Sequence, residues 1–126
     1  MPRPTVRYFV RDVDEALPFY ALLGFEVEMR PAPPFAMLSG GGLRLLLNVP
    51  GGGGGAGQAM PDGSLPEPGG WNRIQVEVDD LDAAVERMQA ADVPLRSGIV
   101  QGFGGRQVVA DDPSGNPVEL FEPPKG

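Results

Sequence analysis

An internal repeat constrains this chain more than any other feature. The segment from Val6 to Val27, VRYFVRDVDEALPFYALLGFEV, is echoed from Ile74 to Leu95 by IQVEVDDLDAAVERMQAADVPL. A shift of 68 residues lays Val10 on Val78, Asp12 on Asp80, Val13 on Leu81, Asp14 on Asp82 and Ala16 on Ala84. Each copy reads as a strand running into a helix that begins at an aspartate. Val6, Tyr8 and Val10 alternate with Thr5, Arg7 and Phe9; Ile74, Val76 and Val78 alternate with Arg73, Gln75 and Glu77. A period of two describes a strand with two different faces.

The helices carry their own punctuation. Asp12 and Asp80 are expected N-caps, because a carboxylate can accept the unpaired backbone N–H groups of a first turn. Gly24 stands where a helix C-terminus favours positive φ, and Asp92 holds the matching place with less tolerance for it. Pro18 lies inside the first helix and removes a backbone hydrogen bond, which predicts a slight kink or a late start. Strand-like sequence follows each helix: Phe25–Arg30, Phe35–Leu38 and Leu43–Val49 in the first copy, then Leu95–Val100, Arg106–Ala110 and Val118–Phe121 in the second. The turns are expected at Pro31–Pro34, Ser39–Gly42, Gly102–Gly105 and Asp112–Asn116.

These elements give an α+β chain of two βαβββ modules, 3–49 and 71–124, within a single domain spanning 1–126. A Gly/Pro-rich stretch, 50–70, joins them. Glycine runs lose much backbone entropy on ordering, so this stretch is expected to be a mobile linker carrying little of the core. A phosphate cradle would need a following helix and usually a lysine, and the stretch has neither. Two such modules joined edge to edge would make a curved mixed sheet whose concave face forms a cup.

Composition narrows the chemistry. The chain has no cysteine and no histidine, which removes thiolate catalysis, thiol metal sites and the commonest neutral-pH base and metal ligand. The formal net charge of −7 disfavours nucleic acid and anionic membranes and suits a cationic ligand. The N-terminus lacks a signal-peptide pattern and no apolar run is long enough to span a bilayer, so a cytoplasmic protein is expected.

Three stretches together resemble the vicinal oxygen chelate superfamily, which contains glyoxalase I, bleomycin-resistance proteins and extradiol dioxygenases. They are Phe19–Tyr20 with Leu23–Gly24–Phe25, the mid-chain VDDLDAA from Val78 to Ala84, and the terminal DPSGNPVELFEP from Asp112 to Pro123. The resemblance covers nearly the whole chain. It implies the duplicated βαβββ fold and a homodimer. It also implies four inward-facing positions that hold a metal ion in metal-dependent members. Here these map to Thr5 and Arg73 on the first strands and to Leu46 and Glu119 on the last strands. Only Glu119 is a ligand type, so the resemblance gives the scaffold without the usual metal, and no cofactor is expected.

The alternation places Thr5, Arg7, Phe9, Arg44, Leu46, Arg73, Gln75, Glu77, Glu119 and Phe121 on the open face. The ligand-binding candidates are Arg7, Phe9, Leu46, Arg73, Gln75, Glu119 and Phe121, with Trp71 as a further apolar wall. Arg73 and Glu119 are expected to face each other. Three readings of that pair stand: a structural ion pair, a ligand-orienting pair, or Glu119 as the catalytic base of an enzyme. An adjacent guanidinium favours the carboxylate form and so weakens it as a base. Arg7 and Arg44 read as rim charges or anion contacts. Asp79, Asp80 and Asp82 suggest a metal cluster on paper, but capping explains them better. The expected function is a metal-free small-molecule binder similar to bleomycin-resistance proteins. The alternative is a lyase or isomerase that uses Glu119 and Arg73.

Overall fold

The structure is a computed structural model that describes residues 3–52 and 55–125. The parts of the N-terminal and linker readings that fall on residues 1–2 and 53–54 lie outside the described residues, as does residue 126. The chain divides into two compact units, Met1–Gly69 and Gly70–Gly126.

The first unit runs β1 (Thr5–Phe9), α1 (Val13–Leu22), β2 (Glu26–Ala32), β3 (Phe35–Gly40) and β4 (Leu43–Asn48). Its sheet has the order β1-β4-β3-β2, with β1 parallel to β4 and the other pairs antiparallel. The second unit repeats this with β5 (Ile74–Glu77), α2 (Leu81–Ala90), β6 (Val100–Gln101), β7 (Arg106–Asp111) and β8 (Pro117–Glu122). Its order is β5-β8-β7-β6, again with the one parallel pair between β5 and β8. The α+β class and the twofold βαβββ plan therefore hold.

Each helix starts where its aspartate can accept. Asp12 Oδ1 takes the Asp14 N–H at 2.9 Å, and Asp80 Oδ1 takes the Ala83 N–H at 3.1 Å. The second helix has an extra cap. The buried Glu122 of β8 accepts the Leu81 N–H at 2.7 Å, tying the helix start to the end of the last strand. Pro18 sits within α1 without delaying its start at Val13. After the helices, Gly24 has φ 89° and Asp92 has φ 58°, so both modules leave the helix through the same left-handed residue.

The core lies on the helix side of each sheet. Leu38, Leu45 and Leu47 are buried with Val13, Ala16 and the α1 aromatics; Val108, Val118 and Leu120 are buried with Leu81, Ala84 and Met88. Tyr20 is fully buried and edge-on to Phe19 and Phe25, with centroids 4.9 and 6.1 Å away. The expected core set is only partly sealed. Val10, Leu45, Leu47, Val118 and Leu120 are buried, but Val6, Tyr8, Ile74, Val76 and Val78 are half-exposed. The reason is position: β1 and β5 are edge strands of their sheets.

Two expectations need correction. The strand over Leu95–Val100 is not continuous. Leu95 makes one isolated bridge to Ala110, the chain bends through residues 96–98, and only Val100–Gln101 pairs with β7. The linker is not wholly loose either. The Gly51 N–H donates to the Gly57 carbonyl at 2.7 Å and the Gly52 N–H to Val49 at 3.0 Å, and Gly57 is buried. This loop folds back on the end of β4.

Candidate functional site

In the second unit, β5 and β8 run side by side with Gln75 opposite Glu119. Arg73 precedes β5 by one residue and projects to the same side. Glu119 Oε1 accepts from Arg73 Nε at 3.0 Å, with Nη2 at 2.9 Å, and Oε2 accepts from Gln75 Nε2 at 2.6 Å. Arg73 Nη1 donates to the Trp71 carbonyl at 3.3 Å. The Glu119 side chain is 10% exposed and that of Arg73 26%. A carboxylate so enclosed needs both its oxygens engaged, and here they are. The cluster pairs one cation with one anion. Its open donors are the N–H groups of Arg73 that point away from Glu119, so it can grip an acceptor on a ligand. Oε1 is filled by the two Arg73 nitrogens, whereas Oε2 takes only Gln75 and keeps a second lone pair, the one place where a proton could be received.

Phe121 lies one step along β8, opposite Glu77 on one side and Gln107 on the other. It is half-buried over Gly105, where a side chain would collide with the Phe121 ring and the Glu122 carbonyl. Trp71 is not a free wall. The Arg96 guanidinium lies 4.6 Å from its ring centroid. Arg96 also donates to Asp111 at 2.8 Å, to the Gly70 carbonyl at 3.0 Å and to the Gly115 carbonyl at 3.2 Å. One side chain thus pins the entry to β5 against the turn before β8. In that turn the buried Asp112 accepts from the backbone of Ser114 and Asn116, each at 2.8 Å.

The acidic run is used structurally. Asp80 caps α2, and Asp82 pairs with Arg106 at 3.0 Å, which also reaches Glu122 at 3.3 Å. The hydrogen bond from Arg106, with its charge, holds the Asp82 carboxyl below the ordinary aspartate range. Among the described residues no three Asp or Glu side chains gather as a metal cluster would require.

In the first unit the same ladder places Arg7 opposite Leu46, Thr5 opposite Arg44 and Phe9 opposite Asn48. Because Arg7 matches Gln75 in the repeat, Leu46 occupies the place of Glu119. Leu46 is buried and Arg7 is exposed, with no hydrogen-bond or ion-pair partner among the described residues. Arg44 is not a bare rim charge: its Nε is 3.7 Å from Glu28, which also pairs with Arg3 at 2.9 Å. Of the sequence candidates, the structure brings Arg73, Gln75 and Glu119 together in one unit, with Phe121 a step away. It sets Arg7, Leu46 and Phe9 on neighbouring positions in the other. Asn48 was overlooked; its signal is an amide closing the otherwise apolar run LLLN on the open side of β4.

The family model for the Glyoxalase/Bleomycin resistance protein/Dioxygenase superfamily matches residues 4–120. The chain belongs to this superfamily. A superfamily structure is the lactoylglutathione lyase from Agrobacterium tumefaciens, 23% identical with a TM-score of 0.72 over 96% of this chain and 92% of that one. Also similar in fold is TnmS3, an antibiotic binding protein from Streptomyces, 24% identical with a TM-score of 0.72 over 98% of this chain and 97% of that one. In sequence the chain is 28% identical over 114 residues to an uncharacterized protein of Mycolicibacterium smegmatis, covering 90% of this chain and 87% of the relative. The same fold thus occurs in a lyase and in an antibiotic binding protein, so function has to be argued from the site. No helix among the described residues is long and apolar enough to cross a membrane.

Proposed function

We propose that this protein is a metal-free small-molecule binder of the superfamily, acting in the cytoplasm as a homodimer. One observation carries the reading: Arg73 and Gln75 occupy both oxygens of Glu119, the one carboxylate left among the four superfamily metal positions. The donor set does not fit a divalent ion. Leu46 offers no lone pair, Thr5 is a weak ligand, and a guanidinium already sits on Glu119 and would repel a cation. The arginine takes over the positive charge that a metal would supply. The antibiotic-binding neighbour TnmS3 and the net charge of −7 support a sequestering role for a cationic ligand.

The alternative is a cofactor-free lyase or isomerase, supported by the lyase among the structural neighbours. It would use Glu119 as base and Arg73 to hold a developing oxyanion. The engaged state of both Glu119 oxygens counts against it.

A thermal-shift screen of cationic and aromatic small molecules, bleomycin included, decides between them when each hit is followed by recovery of the ligand. The proposal expects stoichiometric binding, the ligand recovered unchanged, and roughly tenfold weaker binding in Arg73→Ala. Turnover of a hit that is lost in Glu119→Gln would establish the enzyme instead. Light scattering at several concentrations tests the dimer; a monomer throughout would reject it.

A further inference from the structure

The first unit contains a cavity of about 330 Å³ that none of the above uses. Arg7, Pro34, Phe35, Asn48, Gly52 and Ala56 line it. Its floor is Asn48, only 7% exposed and flanked across the sheet by Phe9 and Phe35. The side-chain oxygen of Asn48 is buried with no hydrogen-bond partner among the described residues. A buried amide left unpaired is costly, and the protein interior normally avoids it. The sibling module shows the bland solution. At the matching place on β8 stands Phe121, between Glu77 and Gln107. The two modules therefore invert their polarity at this level: aromatic, amide, aromatic in one; polar, aromatic, polar in the other.

Nothing in the fold requires the amide. The Asn48 backbone makes the ladder bonds, and its carbonyl accepts from the Val10 N–H at 2.9 Å, which any residue would do. Arg7 stands at the cavity with a guanidinium that has no partner among the described residues. Phe35 and Pro34 supply flat apolar wall. Gly52 completes the rim in close contact, since a Cβ there would lie 2.6 Å from the Pro34 Cβ. The chemistry on offer is an acceptor at the base, a cation at the mouth and a flat side.

We propose that this cavity is a binding subsite for a planar ring that bears an N–H or O–H donor beside a carboxylate. The Asn48 amide turns its buried oxygen toward the cavity to meet the donor, the carboxylate meets Arg7, and the ring lies against Phe35 and Pro34. The site goes beyond the binder reading: it takes an anionic ring, not the cationic ligand argued from net charge, and it stands on residues of the first unit alone, so either can fail without the other.

The test uses two fragments that differ only in the donor: pyrrole-2-carboxylate, whose ring N–H adjoins the carboxylate, and furan-2-carboxylate, whose ring oxygen replaces it. Each is titrated into the full-length ¹⁵N-labelled protein to roughly 10 mM, a range suited to fragments of this size. The pyrrole acid should give saturable shifts of the Asn48 side-chain amide and of the Arg7 and Phe35 backbone amides. It should bind at least about fivefold tighter than the furan acid. Asn48→Leu should erase that preference, and Arg7→Gln should weaken both acids alike. Equal binding of the two acids, or no saturable shift at these residues, would overturn the proposal. Shifts confined to Arg73, Gln75 and Glu119 would also overturn it, while leaving the second-unit reading intact. The comparison of the two acids on the unaltered protein decides the matter even if Asn48→Leu folds poorly.

Discussion

The two modules share a backbone plan and differ in what they put on it. Both have an aspartate-capped helix, a left-handed exit, and one parallel strand pair in the same register. Yet the row that holds Arg7 and Leu46 in the first unit holds Gln75 and Glu119 in the second, with Arg73 beside them. The next row exchanges Asn48 for Phe121. The helix-side positions stayed apolar because they share a sealed core. The open-face positions answer to no such constraint, so they are free to diverge toward ligand chemistry. One backbone plan thus presents two open faces of different chemistry, one in each unit.

The comparison can be broken by mutation. The largest effect is expected from Asp112→Ala, since only the second module builds its last turn around a buried carboxylate. Losing that acceptor should cost about 3 kcal/mol in denaturant unfolding. A loss below 1 kcal/mol would mean the turn holds without it. Glu119→Leu makes the second module copy the first. It leaves Arg73 and Gln75 without their shared acceptor and should cost about 2 kcal/mol. A neutral or stabilising result would show that the pair serves binding at no structural gain.

The helix exits sharpen the comparison at a smaller scale. Gly24→Ala should destabilise by about 1 kcal/mol, because a Cβ is disfavoured at that φ. Asp92→Gly relieves the corresponding strain in the second module and should gain about 0.5 kcal/mol. Opposite signs at the two sites test whether the exits are equivalent.

The smallest effect concerns pH and reads the Asp82–Arg106 pair of the second module. Asp82 is held below its ordinary range, chiefly by the hydrogen bond from Arg106. Its contribution is complete above the unfolded-state value and fades as pH falls through the folded one. Asp82→Asn should therefore lower Tm slightly at neutral pH and flatten the acid limb of Tm against pH, while the slope near neutrality stays unchanged. A changed slope near neutrality would contradict the assignment.

Local features were the legible ones. The aspartate caps, the Gly24 exit and the two-residue alternation each depend on neighbours a few positions away, and each took the expected form. The pairing of Arg73 with Glu119 was expected from the resemblance, which puts both at metal positions; the repeat and the alternation supply only the face each residue shares. What stayed hidden depends on distant partners. Arg96 bends the stretch expected to be a strand while its side chain reaches Gly70, Asp111 and Gly115. The glycine loop is closed by Val49 and packed on Pro34, neither of which marks it in advance. Glu122 shows a middle case. It alternates with Leu120 and Val118 on the core face, and an acid there calls for a buried donor, yet only the fold names the Leu81 N–H.

The account rests on arginine having replaced a metal at Glu119. Calorimetric titration of chelator-stripped protein with Zn²⁺, Ni²⁺ and Mn²⁺ tests this directly, with Glu119→Gln as the control. The expected result is no saturable binding that depends on Glu119. A stoichiometric site present in the unaltered protein and lost in Glu119→Gln would contradict it.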